Sequence, residues 1–397
     1  MLRLQPCRSL PLTRLGVRNY YQRLPSKGDK VVVAMSGGVD SSVTAKILAE
    51  QDYDLSAVFM RNWDPYDESG TVNGCEWKRD WEDVQRVCRL LDIPCKMIDL
   101  SREYWTRVFE PSLKEWEAGC TPNPDVLCNK EVKFGALLDR ITRDFPHSNV
   151  PWLATGHYAR KGWDSSSCVR PKLFRPVDSS KDQTYYLASV SEAALARALF
   201  PLSDLKKTEV RELAAKWGLP TASREESMGL CFVGERRKFH DFLTEYISPR
   251  PGPIVDTISG QQIGIHQGLW TYTIGQRARI GGLKQQMFVS KKSPQTNMIY
   301  VVPGRNHPAL YFTKLRLSAI HWIWDSDTPK DLTKPSGCQA RIKYRYCMDD
   351  EPCTIYQDER GICITFDKPQ NMAAPGQVAA IYLEDWCLGC GVIDTIT

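Results

Sequence analysis

Two stretches of the chain combine residue types that can do chemistry. The string AMSGGVDSS, residues 34–42, follows one short apolar run directly and opens a helical one. Gly37 and Gly38 let the backbone turn tightly and present N–H groups, and the helix N-terminus adds positive potential, so this loop can cradle a phosphate or pyrophosphate. Ser36 and Ser41 add hydroxyl donors; Asp40 can cap the helix or help hold a magnesium ion that travels with a nucleotide. No Gly-Lys-Ser/Thr follows, so the loop is not of the Walker A kind. The second string, NPDVLCNKEVKF at 123–134, sets Cys128 in a loop-like, Pro-containing stretch just ahead of a helix-like run, which reads as an exposed thiol. A helix N-terminus with Lys130 and Lys133 nearby can depress a thiol pKa, and Asp125, three residues earlier, is placed to act as acid or base. Taken alone, Cys128 and the Cys231 of GLCFVGER each read as a small buried hydrophobe.

Elements that alternate in type must position these residues. KVVVAM (30–35), LSAVFM (55–60), CKMIDL (95–100) and PWLATGHY (151–158) are short apolar or β-branched runs. Between them SSVTAKILAEQ and RDWEDVQRVCRLLDI repeat apolar residues at helical spacing. Such alternation implies crossover connections and a doubly wound parallel sheet from residue 30 to about 235. KKTEVRELAAKWGLP is a later helix of that domain, ending at Gly218 and Pro220. Beyond Arg237 a short helix and the breaker PRPGPI precede a Gly-rich region of β-formers, a small central domain. From about 309, LRLSAIHWIW, CQARIKYRYCM, PCTIYQ, GICITF and QVAAIYL read as strands of a small antiparallel β-barrel. In QARIKYRYCM, strand alternation puts Arg341, Lys343 and Arg345 on one face, a basic stripe suited to an RNA backbone.

Composition narrows the class. At 397 residues the chain calls for two or three domains, and 42% apolar with 25% charged residues is ordinary for a globular protein. No apolar run approaches the roughly 18 residues that a membrane helix needs. Residues 1–30 hold seven cations and one acid, a net +6 that leaves −1 of the chain's +5 for residues 31–397, so RNA binding must come from local patches. The segment 1–28 interleaves Arg with Leu, Val and Tyr and has no acid, the composition of a mitochondrial transit peptide. Fourteen cysteines without regular spacing do not make a disulfide framework. The one CxxC, Cys387 and Cys390, lacks the second pair a zinc ribbon needs and reads as packing, and no stable protein-bound metal is expected. His157 at the end of a core strand reads as a packing residue too.

SGGVDSS resembles the PP-loop of ATP pyrophosphatases, an adenine nucleotide alpha hydrolase-like fold whose members cleave ATP to AMP and pyrophosphate. With it, NPDVLCNKEVKF, LATGHYAR, SSKDQTYYL, ESMGLCFVGER, GQRARIGGL and CLGCG occur in the order and spacing of tRNA-specific 2-thiouridylases, from about residue 30 to the C-terminus. Within that family the chain resembles the mitochondrial branch. The resemblance implies a PP-loop catalytic domain at 29–237, a tRNA-binding central domain at 238–308 and a β-barrel at 309–397. It implies that Ala34, Met35, Ser36, Gly37, Gly38, Val39, Asp40 and Ser41 hold ATP, with its Mg2+, helped by Met60 and Gly156. Asn123, Pro124 and Asp125 would face the target uridine, and Lys181, Asp182, Gln183, Arg345 and Tyr346 would touch tRNA. Cys128 would be the nucleophile and Cys231 the persulfide carrier, fed in the mitochondrial matrix by a persulfide donor or relay protein linked to a cysteine desulfurase, with no membrane partner. The expected reaction is thiolation of the wobble uridine of a few tRNAs (Lys, Glu, Gln), with Cys128 and Cys231 joining in a disulfide or hydrosulfide leaving first. Simple alternation points Arg345 and Tyr346 to opposite faces, so if both touch tRNA the strand must bulge or end there. Two other readings use less of the pattern: a small-molecule adenylating amidotransferase needs neither thiol, and an inert RNA-binding module does not need the loop.

Overall fold

The computed structural model describes residues 24–63, 76–143, 145, 149–164, 169–225, 239–324, 332, 334 and 336–397. Cys231, Cys75, Cys168 and almost all of the 1–28 segment lie outside the described residues. The four apolar runs of the N-terminal half form β1 (Lys30–Met35), β2 (Asp54–Arg61), β3 (Cys95–Asp99) and β4 (Trp152–Thr155). An antiparallel hairpin, β5 (Arg160–Trp163) and β6 (Pro171–Phe174), follows, and then β7 (Ala198–Leu199). The first sheet has the order β3-β2-β1-β4-β7 and is parallel throughout. Val84, Val87 and Cys88 of the helix Glu76–Leu91 pack with Val31, Val33, Ala57 and Phe59 of that sheet, so the helical apolar stripe finds the covered face a parallel sheet requires.

The central region forms a separate sheet from β8 (Gly252–Asp256), β9 (Gln262–His266), β10 (Arg277–Ala278), β11 (Met287–Ser293) and β12 (Met298–Pro303). The last third supplies β13 (Tyr311–Trp322), β14 (Cys338–Lys343), β15 (Glu351–Asp358), β16 (Gly361–Asn371), β17 (Val378–Leu383) and β18 (Trp386–Ile396). Pairing of β13 with both β16 and β18 closes these six strands into an antiparallel barrel.

The hairpin β5–β6 departs from the pattern expected of a pure α/β domain. It leaves the parallel sheet and adds to the barrel through β18, where Trp386 and Cys387 pair with Phe174 and Leu173. One hydrophobic cluster therefore runs from Val132, Leu137 and Tyr185 of the first domain to Val378, Tyr382 and Cys390 of the barrel, with Trp270 of the central domain.

Charged groups cross the same seam. Asp182, 3% exposed, pairs with Arg175 at 2.9 Å and with Lys343 of β14 at 3.6 Å, and it accepts from the Thr184 N–H at 3.0 Å. Arg175 also reaches Asp350 at 2.6 Å, and Asp350 holds Arg341 at 2.7 Å. The basic stripe read from alternation is corrected here. Lys343 is 5% exposed because it serves a buried carboxylate, and β14 ends at Lys343, so Arg345 and Tyr346 stand in the turn that follows. Removing one member of a buried charge network strands the others. Asp182→Asn is expected to destabilise the fold by about 3 kcal/mol, read as a lower urea midpoint; an unchanged midpoint would show the network to be energetically idle.

Candidate functional site

Nucleotide chemistry belongs at the C-terminal ends of parallel strands where the order reverses, here between β1 and β4. Residues 36–38 leave β1 at that point and lead into the helix Val39–Ala49. The Ser41 hydroxyl accepts from the Ser36 N–H at 3.1 Å and donates to the Gly38 carbonyl at 3.1 Å, which fixes the loop from inside. Gly37 has φ of +79°, and a Cβ there would lie 2.8 Å from the Asp80 backbone. Gly156, just past β4, lies over the loop, because its Cβ would meet the Asp40 carbonyl carbon and the Ser41 nitrogen at 2.9 Å. The cradle is thus built of bare backbone, as a triphosphate needs. Met60 stands beside it near the end of β2, the neighbour of β1, where Met35 pairs with Phe59.

Asp40 does not cap its helix. Lys207 grips both its carboxylate oxygens at 2.7 Å, and the Tyr158 hydroxyl donates to one of them at 2.9 Å. The carboxylate is thereby occupied, and a magnesium ion would be held chiefly by the phosphates it accompanies. Lys207 escaped the sequence reading, although a lysine in the first turn of a helix, against the macrodipole, signals a local carboxylate or phosphate.

Asn123 caps the second functional element, its Oδ1 accepting from the Val126 N–H at 3.2 Å, and Pro124 occupies the first turn. The helix begins at Pro124–Leu127, widens to π geometry over Cys128–Leu137 and returns to α over Leu138–Thr142. Cys128 is therefore a helical residue and 5% exposed, where the sequence suggested an exposed thiol in a loop. The cap-and-Pro signal fits a helix start at Pro124, ahead of the helix-like run, and the π segment is the kind of irregularity that gathers at functional sites. The amide of Asn62, the first residue after β2, comes within 4.0 Å of Cys128 Sγ.

Burial pushes the Asp125 carboxyl above its ordinary value, against an opposing pull from Lys133. A raised carboxyl suits an acid–base role. His157 lies between Phe134 and Phe200, bonded to the Thr155 hydroxyl at 2.8 Å, and burial together with Lys133 holds it well below the usual imidazole range. It is the packing residue the sequence suggested. Cys387 and Cys390 are closed in the core, and burial drives both thiols up, Cys390 to about 12.

The residues assigned to RNA divide. Asp182 turns inward to the ion pairs described above, and Gln183 accepts from the Tyr158 N–H at 2.9 Å, so Tyr158 links this segment to Asp40. Lys181 ends a short 3-10 turn, half-buried. Tyr346 stacks on Tyr186 with ring centroids 4.5 Å apart, and Tyr186 feels the Asp125 charge. Tyr186 lies within the SSKDQTYYL string but the sequence assigns it no role there; its contact with Tyr346 depends on the tertiary pairing of the two domains.

A phosphate loop at the switch point of a parallel sheet, with an acid–thiol helix beside it and two β domains appended, defines a PP-loop nucleotide-using protein. Family models agree by segment: a tRNA methyl transferase HUP domain matches residues 29–235, a tRNA methyl transferase PRC-barrel domain 240–303, and an aminomethyltransferase beta-barrel domain 312–393. The chain is 42% identical to tRNA-specific 2-thiouridylase MnmA of Alkaliphilus oremlandii over 375 residues, 93% of this chain and 98% of that protein. It is 41% identical to the protein of that name in Vibrio campbellii, over 92% of this chain and 96% of the other. The chain belongs to the tRNA-specific 2-thiouridylase family. Among solved structures, a 4-thiouridine synthetase–RNA complex with bound ATP is 16% identical, with a TM-score of 0.30 over 51% of this chain and 44% of that one.

Two outcomes follow from this geometry. Gly156→Ala forces a methyl against the Asp40–Ser41 backbone and is expected to weaken ATP binding about tenfold or more by calorimetry, about 1.4 kcal/mol, with the fold intact. Asp125→Asn is expected to lower turnover by about 10²-fold or more while making the protein more stable at neutral pH. The sign follows from the raised carboxyl: the folded state disfavours the charged form, so wild type loses stability as pH rises from the ordinary Asp range through the raised value. The stability gap between variant and wild type should open across that interval, stay constant above it and vanish below it in thermal melts.

Proposed function

We propose that the protein is an ATP-dependent tRNA-uridine 2-sulfurtransferase acting on the wobble uridine of mitochondrial tRNAs, those for Lys, Glu and Gln being expected. The observation that carries this reading is the meeting of Cys128 with Asn62 at the end of β2, which puts the acid–thiol helix on the same sheet edge as the SGGVDSS loop. Uridine C2 is a poor electrophile with a poor leaving oxygen. Attack of that oxygen on the ATP α-phosphate, with Mg2+ on the phosphates, expels pyrophosphate and leaves C2–O–AMP. Asp125 faces the base and moves the proton that N3 must lose and regain. The terminal sulfur of a Cys231 persulfide then attacks C2; the C2–O bond breaks and AMP departs. Cys128 thiolate attacks the Cys231 sulfur, the S–S bond breaks, 2-thiouridine keeps the electron pair, and a Cys128–Cys231 disulfide remains. A thiol reductant supplies two electrons to restore both thiols. If hydrosulfide leaves first, it attacks C2 itself and the same disulfide remains.

Lys181, Gln183, Arg345 and Tyr346 are the tRNA-facing residues of this reading, with Asp182 bracing them from beneath. Residues 1–28 would direct the protein to the mitochondrial matrix, where a persulfide donor or a relay protein linked to a cysteine desulfurase loads Cys231; their acid-free, Arg-rich composition supports this.

Incubation with ATP, magnesium, a persulfide donor and tRNA should yield thiolated tRNA, retarded in a mercury-containing gel. Cys128→Ser and Cys231→Ser are each expected to lose about 10³-fold or more of that product while tRNA-stimulated pyrophosphate release persists. Normal thiolation by both variants would sink the mechanism.

A further inference from the structure

We propose that Asn62 controls the charge state of Cys128, as a positioning residue that donates a hydrogen bond to the thiolate; this deepens the sulfur-transfer reading and rests on it. Asn62 follows the last residue of β2, stands two positions after Met60 and meets the acid–thiol helix through its amide. Its Nδ2 is 4.0 Å from Cys128 Sγ, the outer limit of an N–H···S contact, so a small closing movement makes the bond. Its Oδ1 is buried and has no hydrogen-bond partner among the described residues. A buried amide that leaves its acceptor idle weakens the fold and asks for a functional reason. The same holds for Asn129, adjacent to Cys128, whose Nδ2 donates to the Asp125 carbonyl at 2.9 Å while its Oδ1 is buried without a partner.

An amide is two-sided. Through Nδ2 it donates to a thiolate, and after a half-turn about its last bond its oxygen accepts from an S–H. Asn62 can therefore serve both protonation states of Cys128 with no backbone movement, which neither an aliphatic side chain nor a carboxylate can do. The sulfur-transfer step consumes the thiolate, so the donor is useful when the thiol has given its proton to solvent.

Among the described residues, the other charged or titratable groups around this part of the helix are Asp125, Lys130, Glu131 and Lys133 on the helix itself, with His157 against Phe134 and Tyr104 on the segment packed beside it. From the packed elements come Arg61, paired with Asp99, Cys390, which feels Lys130, and Tyr185 and Tyr186, which feel Asp125. All remain in an Asn62 variant, so a changed thiol titration is attributable to the amide.

The test is the pH profile of iodoacetamide alkylation at Cys128 in the full chain, read by mass spectrometry of the peptide that carries it. Asn62→Leu should raise the midpoint by about one pH unit, equivalent to about tenfold less thiolate at neutral pH. Asn62→Asp keeps the size, replaces the donor by a negative charge and should raise the midpoint further. Single-turnover thiolation at neutral pH should fall about tenfold in Asn62→Leu and recover at alkaline pH. If Asn62→Leu does not fold, Asn62→Ala, which removes the donor without adding a charge, carries the test in its place. Superimposable profiles for wild type and Asn62→Leu (or Asn62→Ala) overturn the proposal, as does a wild-type Cys128 that stays unmodified across the whole profile. Loss of thiolation by wild type with shifted midpoints in the variants would instead count against the sulfur-transfer reading alone.

Discussion

Burial of an acid and a thiol on successive turns of one helix is the constraint that organises this molecule. Burial raises the Asp125 carboxyl above its ordinary value, and the Cys128 side chain is only 5% exposed. A thiolate at that position needs a hydrogen-bond donor, and the Asn62 amide stands 4.0 Å from the sulfur. The fold must also hold that helix rigidly, because a substrate base cannot reach a buried site unless the surrounding walls are fixed where they need to be.

Three bodies provide those walls. Immediately before Asn123, Gly119 packs on Leu269 of the central domain, where an added Cβ would lie 3.1 Å from its side chain, and the Thr121 N–H donates to the Pro375 carbonyl of the barrel at 2.8 Å. Lys292 faces Cys120 between these contacts. On the other side, the Asp182–Arg175–Lys343 group and the Tyr186–Tyr346 stack tie the 179–186 segment to the barrel. From Gln183, two hydrogen bonds to the Tyr158 backbone and one from the Tyr158 hydroxyl to Asp40 reach the phosphate loop. The 179–186 segment, the phosphate loop and the acid–thiol helix are thus in mutual contact through few groups, a design in which a shift at one is felt at the others.

The parallel sheet was legible because its strands are continuous apolar runs and its helices show unbroken apolar spacing; the loop was legible because SGGVDSS sits at the junction. What escaped was set by tertiary pairing. Ala198–Leu199 is too short to leave a pattern, and the hairpin at 160–174 looks local in sequence yet completes a distant sheet. Lys343 read as part of a basic stripe suited to RNA since alternation cannot reveal a carboxylate 161 positions away that draws it inward. Cys128 read as exposed because Pro124 and Asn123 look like a turn, although the same pair is also how a helix begins. Asn62 carried no motif at all, for a lone amide acquires meaning only from the thiol it meets.

The account stands on adenylation of the base, and the fate of one oxygen atom decides it. With 18O at C2 of the target uridine, a single turnover with ATP and a persulfide donor should place one labelled oxygen in each AMP released and none in pyrophosphate. Unlabelled AMP accompanying thiolated tRNA would contradict the mechanism.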